Sequence, residues 1–330
     1  MEPTFGIDAH QIALAIDRVS REPGIVAYAM PRQTRLTLTA DAYCDTFDHR
    51  PALAPMAMAS TTREQYEAGL IPEIEALRRG QGSKTVYSRL IAGYAAGDLS
   101  ETISRYFEMC PDTFRFIFAQ PCDGTLWFGA SPELLVDNRP AEHRLYTCAL
   151  AGSRPSATDA STPWDAKNLA EHRMVVEFVD DTLSAFGLNP VNAPTAELRF
   201  GPVTHLRTAI EADAAPDCRK LLAKLSPTPA LAGLPRDNAV EHIRVIEQHA
   251  RGYYGGYVAV NLGGGRTVAY VNLRSARVQL CNGGFRYNII VGGGITPDSV
   301  PEAEWNETVL KSDMLLRAVN LFSENTISVI

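Results

Sequence analysis

Three groups of side chains combine reactive chemistry with useful spacing. Near the C-terminus, Glu304, Glu307 and Lys311 stand at i, i+3 and i+7. On a helix that spacing brings all three out on nearly one face, leaving Trp305, Val309 and Leu316 able to point to the core. Immediately upstream, Gly292, Gly293 and Gly294 would let backbone approach an anion closely and aim N–H groups at it; the alternative is a tight turn beside a solvated Glu/Lys face. In the second group, Glu171 and His172 lie roughly 100° apart around a helix, with Glu171 in a row with Val175 and Phe178. A carboxylate flanked in that way becomes partly buried, and a buried carboxylate must be paired, protonated or metal-bound. Glu171 with Glu307 is therefore a candidate oxygen-ligand pair for Mg2+, which takes few protein carboxylates and keeps waters; the alternative is a surface glutamate. In the third, Lys84 opens an alternating strand, on one face with Val86, Ser88 and Leu90. Strand lysines usually face solvent, but one held in a dry site has a lowered pKa and can serve as a base, with Glu133 in GASPELLV as partner acid.

These groups need a scaffold. The 330 residues, 45% hydrophobic, suffice for a sizeable core, and no linker, repeat or low-complexity tract divides them, which predicts one unit over 1–330. Residues 24–43 and 113–147 alternate apolar and polar types, as half-buried strands do. TTREQYEAGLIPEIEALRRG carries Tyr66, Leu70, Ile74 and Leu77 at helical spacing and stops at Gly80, although Pro72 is expected to kink or divide it. KTVYSRL follows as a strand. Residues 165–186 place Leu169, Val176, Leu183 and Phe186 on one apolar stripe, opened by Asp165 and closed by Gly187. Another helix runs from Asp237 to His249. YVAVNL, TVAYVNLRSARVQL and FRYNIIV then read as strands, with a turn at Gly263, Gly264 and Gly265. A hairpin falls at Asn282 and Gly283, because both turn positions need positive φ. A last helix begins near Pro301 and runs to about Asn320. Strands grouped with hairpins, and helices between the groups, predict an α+β fold with antiparallel sheets.

Composition excludes several classes. With 31 Lys plus Arg against 38 Asp plus Glu, the formal charge is −7, so no sequence-neutral grip on nucleic acid is expected and any bound anion must meet a local positive site. The six cysteines are far apart without a CxxC pair, which predicts reduced, mostly buried thiols and neither a zinc site nor a disulfide framework. No segment has the unbroken apolar run needed to cross a bilayer, and the N-terminus lacks a basic stretch followed by an apolar one. The expectation is a soluble, cytoplasmic protein.

Ten blocks in order then resemble the chorismate-utilising enzymes: isochorismate, salicylate, anthranilate and aminodeoxychorismate synthases. They are KTVYSR, GASPELL, ALAGSRP, NLAEHRMVV, GPVTHL, LSPTPALAGLP, ARGYYGGY, VNLRSA, VGGGI and EWNETVLK. The resemblance implies a single chorismate-binding catalytic domain of two orthogonally packed antiparallel sheets flanked by helices, with residues 1–80 or so completing the first sheet. It implies Mg2+ held by Glu171 and Glu307. It also implies substrate carboxylates held by Arg274 and Lys311, backbone contacts at Gly152, Gly293 and Gly294, and a pocket lined by His205, Leu231 and Tyr254.

Within the family, ammonia-using members usually carry Gln at the position of Lys84, and water-using isochorismate and salicylate synthases carry Lys. Adding water at ring carbon C2 needs a base, and losing the C4 hydroxyl needs an acid. The resemblance thus implies Lys84 as base and Glu133 as acid of an isochorismate synthase, an isomerase serving menaquinone or catechol siderophore formation. Alternatives are a salicylate synthase, which also eliminates pyruvate; an anthranilate or aminodeoxychorismate synthase; and a noncatalytic anion-binding protein. With water as nucleophile, no glutaminase subunit and no redox cofactor is expected, and the chain is expected to be a monomer. Two departures stand out: Ser226 replaces the His that many relatives have before PTPA, and the segment before Lys84 is short.

Overall fold

The computed structural model describes residues 7–22, 24–50, 54–120 and 123–320. Its helices are α1 (Ala9–Arg21), α2 (Arg63–Arg78), α3 (Leu99–Glu108), α4 (Ala166–Ala185), α5 (Cys218–Leu225), α6 (Arg236–Ile246) and α7 (Pro301–Asn320). The strands are β1 (Val26–Ala29), β2 (Thr37–Thr39), β3 (Ala42–Asp45), β4 (Lys84–Ala96), β5 (Phe114–Ala119), β6 (Leu126–Ser131), β7 (Leu134–Arg139), β8 (Arg144–Pro155), β9 (Val191–Asn192), β10 (Ala196–Phe200), β11 (Val203–Asp213), β12 (Gly233–Leu234), β13 (Tyr257–Asn261), β14 (Thr267–Val271), β15 (Ser275–Cys281) and β16 (Gly284–Ile295). One antiparallel sheet has the order β12-β4-β16-β15-β6-β5-β1-β2; the other has β10-β11-β8-β7-β14-β13-β3, with β9 beside β11. The segment before Lys84 thus serves both sheets, β1 and β2 at one edge of the first and β3 at an edge of the second.

The period of two in β5 shows how the layers form. Phe114, Phe116 and Phe118 join the core that includes Val136, Ala149 and Val258 of the second sheet, while Ile117 turns to the opposite core with Ile12, Ile103 and Leu315 of the helices. Each such fully buried side chain contributes about 1.5–3 kcal/mol. The first sheet is therefore sandwiched between the second sheet and α1, α3 and α7.

Most boundaries follow the sequence signals. The Asp165 carboxylate accepts from Asn168 N at 2.8 Å, and Gly187 just past the other end of α4 has φ +75°. The Asn282–Gly283 turn joins Cys281 to its partner Gly284 as expected, although only Gly283, at φ +79°, and not Asn282 takes the positive φ expected at both positions. Four expectations about the helices and the glycine run need correction. First, α2 is not divided at Pro72: the ring removes one N–H donor, but Tyr66, Leu70, Ile74 and Leu77 pack with Tyr87 and Ile295, and a Thr62–Gln65 capping box secures the start. Second, α6 ends at Ile246, so Glu247 and His249 lie outside it. Third, α4 is rotated from its expected stripe. Leu169 is 45% exposed, and the buried row is Asn168, Glu171, His172, Val175, Val179 and Leu183. On α7, Val309 is 45% exposed, whereas Trp305 and Leu316 pack half-buried against the core as expected, beside the buried Met314, Leu315, Ala318 and Val319. Fourth, Gly292, Gly293 and Gly294 belong to β16 and do not form a loop before a helix.

Of the cysteines, Cys110 and Cys148 are buried, Cys44 and Cys218 half-buried, and Cys281 is exposed beside the hairpin; all five are free thiols, and Cys122 lies outside the described residues. No helix among the described residues is long and apolar enough to cross a membrane.

Candidate active site

The strand β16 pairs with β4 along its length, placing Gly292, Gly293 and Gly294 opposite Ser88, Tyr87 and Val86. Against these glycines come α4 and α7. A Cβ on Gly294 would stand 2.1 Å from Glu171 Oε1 and 2.7 Å from Lys84 Cε; one on Gly293 would meet Glu304 Oε2 and Glu307 Oε1, each at 3.2 Å. The glycines are thus required by carboxylates lying on the strand. Three lysines answer these three carboxylates. Lys84 Nζ is 2.9 Å from Glu171 Oε1, Lys311 Nζ is 2.6 Å from Glu307 Oε1, and Lys167 Nζ is 2.6 Å from Glu304 Oε1. Burial alone would raise the Glu307 carboxyl, but Lys311 and Lys167 pull it down to about 2. Glu304 goes the other way, raised by burial and by the neighbouring Glu307 charge.

Between the sheets lies a cavity, faced by Val86 and Ile290 of the first sheet and by Leu150, Gly152 and His205 of the second. Glu133, Glu171, Leu231, Tyr254, Arg274, Gly294 and Lys311 also face it. Lys84, Gly293 and Glu307 do not line it; they reach it through Glu171, Gly294 and Lys311. Lys84 is 0% exposed, the reverse of a solvent-facing strand lysine.

Arg274 sits where the chain leaves β14 in one sheet and enters β15 in the other, with φ +53°. Its Nη1 donates to Lys311 O at 2.8 Å and its Nη2 lies 3.0 Å from His205 Nε2, which uses two of the five guanidinium donors. His205 Nδ1 is 3.2 Å from Gly152 O. Burial, reinforced by the Arg274 and Lys311 charges, pushes His205 down to about 3. The ring is therefore neutral, with Nδ1–H donating to Gly152 O and Nε2 accepting from Arg274. Glu133, 3% exposed, is pushed up to about 8 by burial, against the opposing pull of a Thr228 hydroxyl and the Lys84 and Lys311 charges. Thr228 Oγ1 donates to Glu133 Oε1 at 3.3 Å.

The twelve site residues that the family resemblance implies are thus brought to one region. Thr228 and Lys167 were missed as individual residues, although both lie in or beside the ordered blocks. Neither carries a spacing signal, because Thr228 meets Glu133 across 95 positions and Lys167 meets Glu304 across 137. Among the described residues no group of three or more His, Cys, Asp or Glu is arranged to hold a metal ion. Mg2+ typically binds through only one or two carboxylates. Hard oxygen donors at Glu171 and Glu307, and Glu304 Oε2 buried without a hydrogen-bond partner beside Gly293, fit such an ion.

Residues 27–317 match the chorismate binding enzyme family, and the chain belongs to it. It is 30% identical over 319 residues to the vibriobactin-specific isochorismate synthase of Vibrio cholerae serotype O1, covering 90% of this chain and 79% of that protein. It is also 30% identical over 277 residues to anthranilate synthase component 1 of Aeropyrum pernix, covering 79% of this chain and 61% of the relative. Among solved structures, DhbC from Bacillus anthracis superimposes with a TM-score of 0.73 at 24% identity, over 96% of this chain and 90% of that one, which establishes the shared fold.

Proposed function

We propose that the chain is an isochorismate synthase, an isomerase that converts chorismate to isochorismate by adding water at C2 and losing the C4 hydroxyl. The observation that carries this reading is a lysine sealed from solvent behind Glu171 of the cavity wall, with a second wall carboxyl, Glu133, that burial pushes up to about 8. Those are the two groups that water addition and hydroxyl loss demand. The relative specific for vibriobactin supports the same reading.

In this proposal Lys84 takes a proton from water as the water oxygen bonds to C2. The ring double bonds shift, the C4–O bond breaks, and Glu133 gives its proton to the departing hydroxyl. Thr228 occupies Oε1 of that carboxyl, leaving Oε2 to carry the proton. Arg274 and Lys311 hold substrate carboxylates, with Arg274 oriented by neutral His205. Backbone at Gly152, Gly293 and Gly294 admits the substrate closely, and Leu231 and Tyr254 shape the ring site. Glu171 and Glu307 would hold Mg2+, which when bound supplies a hard positive charge for a substrate carboxylate. Water as nucleophile leaves no role for a glutaminase subunit, and the product would serve menaquinone or catechol siderophore formation.

The test is to supply chorismate and Mg2+, with and without ammonium, and to identify products by chromatography. Isochorismate in both cases is expected. Salicylate with pyruvate would mean a salicylate synthase, an aminated product or anthranilate would overturn the role given to Lys84, and binding without turnover would mean an anion-binding protein.

A further inference from the structure

Past β12, no strand among the described residues lies beside the edge of β4, yet its backbone groups are met in sequence. Val86 N–H donates to Ala232 O at 2.7 Å, and Leu90 N–H donates to Thr61 Oγ1 at 3.1 Å. Between them, two side chains take the place of a strand. Val86 O accepts from Arg251 Nη2 at 2.8 Å, and Ser88 N–H donates to Glu247 Oε1 at 2.7 Å.

Glu247 and Arg251 are bound to each other by Nη2 to Oε1 at 2.6 Å and Nε to Oε2 at 2.8 Å, with side chains only 1% and 3% exposed. Arg251 Nη1 reaches Leu231 O at 2.6 Å. Leu231 N–H in turn donates to Thr228 O at 2.9 Å, and the Thr228 hydroxyl holds Glu133. This ion pair therefore adds a side-chain tie, beside the Val86–Ala232 bond and the β12 pairing, between the strand that carries Lys84 and the loop that holds Glu133. Well-packed apolar side chains would stabilise the fold as well as a buried ion pair. They could not donate to two carbonyls and accept an amide at once.

We propose that Glu247 and Arg251 are positioning residues that set the spacing between Lys84 and Glu133. The inference rests on the reading of the cavity as an active site. A displacement near 1 Å costs about 100-fold in rate, and a lysine at 251 keeps the charge but lacks the planar fork.

The test uses the full-length chain with Arg251→Lys and, separately, Glu247→Gln. It measures kinetics on chorismate with Mg2+, thermal melting, and amide exchange at Ser88 and Ala232. The expected result is a kcat about 100-fold lower, a KM within threefold of wild type, a cooperative melt and faster exchange at those amides. A folded variant with wild-type kcat overturns the proposal, as does a rise in KM that accounts for the whole loss. If the wild-type protein makes no isochorismate, the functional reading fails on its own. The exchange data then decide the clamp: unchanged protection at Ser88 and Ala232 refutes it, and faster exchange confined to that edge upholds it.

Discussion

Replacing Glu133 by glutamine removes a carboxyl that the folded chain keeps protonated. The group titrates at an ordinary value of 4.5 when exposed and at about 8 in its buried place. Between those values the unfolded chain has released a proton that the native chain still holds, so stability falls as pH rises. Below 4.5 both states are protonated and nothing is lost. One pKa unit corresponds to about 1.4 kcal/mol, so this group alone removes on the order of 4 kcal/mol between pH 5 and pH 9. Glutamine has no such dependence. Urea denaturation of both proteins across that range isolates the effect, because every other titrating group cancels in the difference. Glu133→Gln should gain on wild type by about 4 kcal/mol from pH 5 to pH 9. Parallel stability curves would refute the claim that Glu133 is held protonated. The same variant should lose turnover by at least about 100-fold, and wild-type activity should decline as pH rises through about 8.

Lys84→Ala should lower kcat by about 100-fold or more and change chorismate affinity little, since binding is assigned to Arg274 and Lys311; wild-type kcat in a folded variant would end its role as base. Glu171→Ala or Glu307→Ala should abolish activity together with any Mg2+ dependence, and full wild-type activity in excess EDTA would remove the metal from the account. Gly294→Ala should fold, because the atoms a Cβ meets are the ends of the Glu171 and Lys84 side chains. It should nonetheless lose most turnover by forcing that pair apart, and unimpaired kinetics would contradict the packing described.

Local signals in the sequence located the elements well, because caps and turns act over a few residues. Asp165, Gly187 and the Asn282–Gly283 pair each marked a boundary correctly. Which face an element buries was less legible. On α4 the hydrophobic count favoured Leu169, but the helix buries Asn168, Glu171 and His172. Their polar atoms find partners that no periodicity reveals: Asn168 Oδ1 accepts from Ser153 N–H, and His172 Nε2 lies 2.8 Å from Thr208 Oγ1. The three glycines resembled an anion loop because what crowds them comes from elements distant in sequence, Glu304 and Glu307 at Gly293, Glu171 at Gly294, and Tyr87 and Ser88 of β4 at Gly292. For the same reason the continuous reading of TVAYVNLRSARVQL missed the crossing at Arg274 from one sheet to the other. The candidate site itself was read from an ordered family resemblance, and Glu133 and Lys84 would have stayed ordinary charged residues without it.

The most direct test of water addition is an isotope experiment. Incubated with chorismate and Mg2+ in H2(18)O, the protein should yield isochorismate whose new C2 hydroxyl carries the heavy oxygen by mass spectrometry. Isochorismate formed with only unlabelled oxygen at C2 would contradict water as the attacking species, and with it the roles given to Lys84 and Glu133.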